Sequence, residues 1–398
     1  DTTNIKTHLI EDAKNHFNTT GTGLSRITLQ LTDHKGDLTH PQSKLGDHTP
    51  QRPYLTGESL HLLLDASNRN FKDIQLFITR LGRDTQGDGR GGIKNPRFPT
   101  GEEFQLFRAK LFAMIACDGS IHNPSRQLYY LDKDPCRIEY AKNLLRTHLG
   151  DVHIKEENRE NKATRLVIAV PVGRLMEKWG IPVGDKIIQR YHLHTEILNG
   201  NNEVRCAYLS ELIPEDGGFY NDEGSGWFEW KRAIILDAGP KTDAYNYEPK
   251  INPDQKALLV QYGKVIERRI RDERPQDFIR LRWTKIQELA NNSENHEFQK
   301  IMSIIEDNSC SLLEDEKMLC ESLGIQIYRT PKEIHIQESG RVSVIWRAST
   351  KLQKDAVRWA LLAPPSSGYK QKTVFEWVKS RKETQHIQEE LERMGLTE

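Results

Sequence analysis

The feature that most constrains this chain is an internal repeat of an apolar helix ending on an aspartate. Glu102 to Cys117 reads as a helix because Phe104, Phe107, Leu111, Met114 and Ile115 recur mostly at spacings of three and four. Ala109, Ala113 and Ala116 line its far side. A helix apolar nearly all round is expected to be buried on two faces, as at a helix–helix seam. It runs into Asp118-Gly119-Ser120-Ile121, where a glycine with positive φ would end the helix and a strand would follow. Leu209-Ser210-Glu211-Leu212-Ile213-Pro214-Glu215-Asp216-Gly217-Gly218-Phe219 repeats the pattern, with the two aspartates 98 positions apart. Self-similarity of this kind predicts two like units in one chain.

The segments downstream repeat as well. After Asp118 the pattern predicts a strand near Leu128-Tyr129-Tyr130, a helix from Pro135 to Leu149, strands at 151–156 and 164–170, and a helix at 172–179. After Asp216 it predicts a strand at 227–236, a helix at 312–323, strands at 325–329, 333–337 and 342–347, and a last helix at 351–361. From Asp118 to Gly150 is 32 residues, whereas from Asp216 to Gly324 is 108. The second unit therefore carries an insertion, placed near 240–310, with helices expected at Gln255–Arg271 and Trp283–Ala290. The insertion is basic in Lys264, Arg268, Arg269, Arg271, Arg280 and Arg282. The expected division is 1–100 as an N-terminal region, 101–200 as the first unit and 201–398 as the second.

The N-terminal region is less patterned. It holds a strand-like Ile27 to Leu31 and two short amphipathic stretches, 58–66 and 71–81. The Gly-, Asp- and Arg-only run Gly87 to Gly92 reads as a linker or surface loop and lacks the order of a phosphate-cradling loop. No apolar run reaches membrane-spanning length, and the sequence opens with no basic leader and apolar stretch, so an intracellular location is expected. Five cysteines without a C-x-x-C pair argue against a structural zinc site or a disulfide framework. Lys plus Arg and Asp plus Glu are 57 each, which excludes a tail-driven nucleic-acid binder but not a folded one with a basic face.

An aspartate at a helix C-terminus sits at the unfavourable end of the macrodipole. Two at matched places suggest a purpose. If the two helices pack together, Asp118 and Asp216 form a carboxylate pair whose mutual repulsion a divalent cation would relieve. Oxygen ligands of this kind suit Mg²⁺, and the same arrangement around a phosphodiester suits metal-assisted hydrolysis. Sheets on either side would form a saddle whose open face matches a DNA major groove.

These two segments resemble the signature helices of the LAGLIDADG homing endonucleases in their single-chain, pseudo-dimeric form. Residues 111–121 keep Leu111, an apolar residue at 114, Ile115, Asp118, Gly119 and Ser120, and residues 209–219 keep Leu209, Leu212, Ile213, Asp216, Gly217 and Phe219. Trp179 to Lys186 is similar to what precedes the second signature in such proteins. The resemblance covers roughly 101–236 and 312–375. It implies an α+β fold of two αββαββα units about a pseudo-twofold axis, forming a DNA-binding saddle, with the N-terminal region added. It also implies a monomeric, Mg²⁺-dependent endonuclease that cuts a long asymmetric double-stranded DNA site. Mn²⁺ would substitute for Mg²⁺, and Ca²⁺ would support binding only.

Carried over, Asp118 and Asp216 are the metal-binding acids, and Lys231 and Lys351 the basic residues nearest the chemistry, with Arg232 and Arg347 as rivals. Arg232, Arg347 and Lys354 are candidate DNA contacts. The alternative is a LAGLIDADG-type fold that binds nucleic acid, RNA included, without cutting it, as an intron-splicing helper or transcription regulator. Three departures bear on the choice: Pro214 predicts a kink, Glu211 predicts a looser seam, and Gly218 replaces Ser. The ends of the sequence, Asp1 and Thr397-Glu398, lead us to expect that this is not an intact intein. His192 and His194 lack a third ligand at useful spacing and read as surface residues; Trp227 and Phe228 are expected on opposite faces of a strand.

Overall fold

The computed structural model describes residues 80–81, 92–158, 163–188, 190–222, 224–239, 248–268, 276–292, 296–366 and 368–396. The readings of 27–31, 58–66 and the first nine residues of 71–81 lie outside them, as does the Gly87–Gly92 run up to Gly92. Arg80–Leu81, expected to close a helix, instead forms strand β1, paired with β2 (Ile93–Lys94).

The protein is mixed α+β with antiparallel sheets. The first repeat runs α1 (Gly101–Asp118), β3 (Gly119–Ile121), β4 (Leu128–Asp132), α2 (Pro135–Leu149), β5 (Asp151–Val152), β6 (Ile154–Glu157), β7 (Thr164–Ile168) and α3 (Val170–Lys178). A short α4 (Thr195–Leu198) leads into α5 (Asn202–Asp216), β8 (Gly217–Asp222) and β9 (Ser225–Asp237). The inserted stretch follows as α6 (Pro253–Tyr262), β10 (Lys264–Arg268), β11 (Gln276–Arg282), α7 (Trp283–Ala290) and α8 (His296–Asp307). Then come α9 (Ser311–Ser322), β12 (Ile327–Gln337), β13 (Val342–Thr350), α10 (Gln353–Leu362), α11 (Gly368–Lys379) and α12 (Thr384–Arg393).

The helices start where capping chemistry allows. Asp134 accepts from the Cys136 amide ahead of Pro135 in α2, and Asn201 accepts from the Val204 amide at the head of α5. Strand order is β3-β4-β7-β6 in the first large sheet and β10-β11-β12-β13-β9-β8 in the second, while β1, β2 and β5 form a small sheet in the order β1-β2-β5. Without the inserted β10 and β11, the second sheet reads β8-β9-β13-β12, the order of the first. Helices α1 and α5 pack along each other, with Phe112 and Tyr208 in ring contact at 6.5 Å. Every residue of α1 from Phe107 to Cys117 except Lys110 is buried, which is what an all-round apolar helix requires.

Several expectations are corrected. The helix foreseen over 255–271 stops at Tyr262, and Lys264–Arg268 is a strand pairing with β11, so the insertion extends the sheet rather than being wholly helical. The β-branched pair Val265-Ile266 just after Gly263 is the available signal. The two strands foreseen at 325–329 and 333–337 are one strand with an irregularity between Pro331 and Glu333. The helix at 351–361 is not the last, since α11 and α12 follow. No helix among the described residues is long and apolar enough to cross a membrane.

Candidate active site at the ends of two packed helices

The two repeated helices end alike, though not by the expected device. Gly119 and Gly217 have φ of −97° and −104°, extended rather than left-handed. Glycine is needed for space: a Cβ on Gly119 would lie 2.7 Å from Ile115 Cα, and one on Gly217 would lie 2.8 Å from Ile213 Cα. The chain thus folds back against its own last helical turn, and each aspartate is left at the rim.

The last carbonyls of each helix, unsatisfied within it, are taken by a lysine ammonium. Lys186 Nζ donates to Ile115 O at 3.0 Å and to Ala116 O and Cys117 O at 2.6 Å. Lys370 Nζ donates to Ile213 O, Pro214 O and Gly217 O, each at 2.9 Å. Both cations offset the macrodipole that opposes an aspartate there. Burial pulls both ammonium groups below the ordinary lysine range. Neither lysine was singled out from sequence, yet the spacing Gly184-Asp185-Lys186 and Gly368-Tyr369-Lys370 is a shared signal.

The residue before each aspartate reaches into the other half. Cys117 accepts from Arg232 Nη2 at 3.3 Å. Its thiol is pushed far above the ordinary range by burial, so it is no nucleophile. Glu215 accepts from Tyr130 OH at 3.0 and 3.1 Å and pairs with Arg137. Asp118, Asp132 and Glu215 form a group whose ligand oxygens all lie within 4.8 Å of one another. They line an open cavity of about 440 Å³ together with Asp134, Arg137 and Lys370. Burial and the nearby Asp216 charge push the Asp118 carboxyl up to about 6, against a hydrogen bond with Glu215. Burial likewise pushes Glu215 up to about 8, against the attraction of Arg137.

Asp216 has a different neighbour. Its Oδ2 accepts from Arg232 Nη1. Arg232 is buried and also donates to Glu316 from Nη2 at 2.6 Å and from Nε at 3.2 Å. The guanidinium of Arg232, an expected DNA contact, points inward and is engaged by Asp216, Glu316 and Cys117. A second cavity of about 430 Å³ is lined by Asp216, Arg232, Lys186, Arg190, Lys231 and His335, among others.

Lys231 and Arg347 stand opposite each other on the face of the second sheet away from the buried Trp230 and Trp346. Glu229 lies between three cations, 3.9 Å from Lys231, 3.6 Å from Lys332 and 3.8 Å from Arg347, which leaves the open face locally positive. Lys351 directly follows β13 and lines neither of these two cavities; Lys354 is exposed in the first turn of α10. His192 bonds Asp315 at 3.0 Å and His194 caps α4, so the HLH pair holds the scaffold. Trp227 stacks on Tyr220 on the open face, while Phe228 is buried.

Both departures at the seam are compensated. Pro214 cannot donate to the Ser210 carbonyl, and the Ser366 amide takes it at 3.0 Å. Buried Glu211 accepts from Arg137 at 2.9 Å, Tyr140 OH at 2.6 Å and Ser366 Oγ at 2.7 Å. The looser seam expected from Glu211 is corrected, because its charge is met from α2 and from the loop after α10.

No protein-family profile and no curated protein matches the chain. Among solved structures, a chain from "Structures and dynamics of mesophilic variants from the homing endonuclease I-DmoI" aligns at a TM-score of 0.30 and 9% identity, covering 67% of this chain and 99% of that one. At that level of superposition, function has to be argued from this chain's own residues.

Proposed function

We propose that this protein is a divalent-metal-dependent endonuclease acting on double-stranded DNA, built as two αββαββα units about a pseudo-twofold axis. The observation that carries the reading is the pair Asp118 and Asp216 at the ends of two packed helices, close enough that the charge of one raises the proton affinity of the other. The surplus positive charge around Glu229 on the open face supports phosphate contact there by Lys231, Lys332 and Arg347. The expected partner is a long asymmetric duplex site, since the two open faces differ in sequence, and the chain is expected to act as a monomer.

The donor set at Asp118 fits Mg²⁺ through Asp118 and Asp132, whose carboxylate oxygens lie within 4.8 Å of each other, while Glu215, the third of the group, is already held by Arg137 and Tyr130. Bound there, the ion would supply polarisation of the phosphate and acidification of a water. The chain's own contribution is to hold that carboxylate group in place. Lys186 fixes the end of α1, while Tyr130 and Arg137 fix Glu215. Lys231, exposed and lining the Asp216 cavity, is the basic side chain best placed to meet a phosphate. Hydrolysis adds water to phosphorus, breaks the P–O3′ bond and leaves a 5′-phosphate and a 3′-hydroxyl.

The second reading, a nucleic-acid binder that does not cut, is favoured by one observation: Arg232 already neutralises Asp216. Selection from a randomised duplex library, scoring bound and cut molecules separately in Mg²⁺, Mn²⁺ and Ca²⁺, separates the two. The endonuclease reading expects cutting in Mg²⁺ and Mn²⁺, binding alone in Ca²⁺, and loss of cutting with retained binding in Asp118→Asn. Bound DNA that no divalent metal causes to be cut would establish the non-cleaving reading.

A further inference from the structure

The two halves carry opposite charges at one matched position. In the first sheet Gly119, next to Asp118, pairs with Tyr130 of β4. In the second, Gly217, next to Asp216, pairs with Trp230 of β9. Tyr130 and Trp230 are both fully buried. Two residues further along a strand the side chain returns to the same face, and there stand Asp132 in one half and Arg232 in the other.

The consequences differ. Asp132 joins Asp118 and Glu215 in a group of oxygen donors. Arg232, 7% exposed, binds Asp216 through Nη1, Glu316 through Nε and Nη2, and Cys117 through Nη2. All three guanidinium nitrogens are used, and Glu316, fully buried, has Tyr208 at 2.7 Å and Trp230 at 2.8 Å as further donors. Buried Glu316 holds Arg232 from the far side, so the guanidinium stays fixed beside Asp216, whose side chain is 33% exposed. A cation at Asp216 would also have to sit against that guanidinium.

We propose that Arg232 keeps Asp216 out of metal binding, so that the chain takes one divalent cation, on the Asp118 side, and hydrolyses one strand of a duplex. The strand selection rests on the nuclease reading above; the metal count does not. The nicked product keeps the chemistry already stated, one water consumed and one P–O3′ bond broken.

The test counts Mn²⁺ bound to the full chain without DNA, by electron paramagnetic resonance of the free ion. One Mn²⁺ per chain is expected, lost in Asp118→Asn, weakened about tenfold or more in Asp132→Asn, and retained in Asp216→Asn. Arg232→Gln should admit a second Mn²⁺. If that variant does not fold, the contrast between Asp132→Asn and Asp216→Asn still decides. No Mn²⁺, two Mn²⁺, or one that disappears in Asp216→Asn would overturn the proposal. A supercoiled plasmid bearing a selected site should yield open circles, and linear product from a single binding event would overturn the strand selection. One bound Mn²⁺ with no cutting of any kind would instead defeat the nuclease reading while leaving the metal count standing.

Discussion

Glu211 illustrates how a single residue can contradict local expectation and still belong. A carboxylate without solvent exposure is tolerated only when its charge and lone pairs are met, and Arg137, Tyr140 and Ser366 meet them. Arg137 serves Glu211 and Glu215 at once, and attraction to both outweighs its burial and holds it charged. Arg137→Met should therefore lower unfolding free energy by about 3–5 kcal/mol, measured by urea denaturation, because it strands buried Glu211 and takes a hydrogen-bond donor from Glu215. A loss no larger than that of an ordinary surface substitution would show the cluster to be dispensable. Glu215 also predicts a pH effect. Its carboxyl is lifted from about 4.5 to about 8, so between those values the folded state holds a proton that the unfolded state has released. Stability from this group is therefore present at low pH and falls as pH rises through that window. Glu215→Gln should flatten that fall when melting temperature is compared at pH 5 and pH 8, and an unchanged slope would reject the assignment.

At the scale of elements, the two helix ends share one solution in three parts: a glycine that lets the strand fold back, an aspartate at the rim, and a lysine on the last carbonyls. Lys186 makes three charge-assisted hydrogen bonds to the end of α1, and Lys370 makes two to the end of α5 and a third to Gly217 at the head of β8. Lys186→Met should cost about 1.5–3 kcal/mol of stability in urea unfolding, since carbonyls of α1 would lose a charged donor. Lys370→Met should act in the same direction. Gly217→Ala should destabilise too, because a Cβ would fall 2.6 Å from Ile213 Cδ1 and 2.8 Å from Ile213 Cα. A neutral outcome would mean that the strand can move away from the helix at little cost.

At the largest scale, the insertion extends the second sheet to six strands among the described residues, whereas the first has four. The two open faces therefore differ in width and in charge. With Lys231, Lys332 and Arg347 gathered on the wider one, DNA affinity should fall steeply with salt despite a net charge of zero. A protein neutralising six phosphates loses about a thousandfold between about 50 and about 200 mM salt. A flat salt response in filter binding would argue against phosphate contact by this face. Sedimentation of the free protein should show one chain per particle.

Much of this organisation was present in the order of residues alone. Periodicity located α1, α2 and most strands, because an apolar face repeats at the period of the element it belongs to. The repeat of helix, aspartate, glycine and strand located both rim carboxylates, because the same local geometry demands the same residues twice. The helix drawn through 255–271 shows the limit of that reading: Lys264–Arg268 became a strand because β11 supplied a partner, and pairing is a property of the sheet. The asymmetry of the site likewise belongs to tertiary structure. Asp132 and Arg232 look unrelated in the chain, and only strand register makes them equivalents. Arg137 lies far from Glu211 and Glu215 in sequence, so no local pattern could join them. Electrostatic partnership depends on distance through space and on exclusion of water, and both are set only when the two halves close around the paired helices.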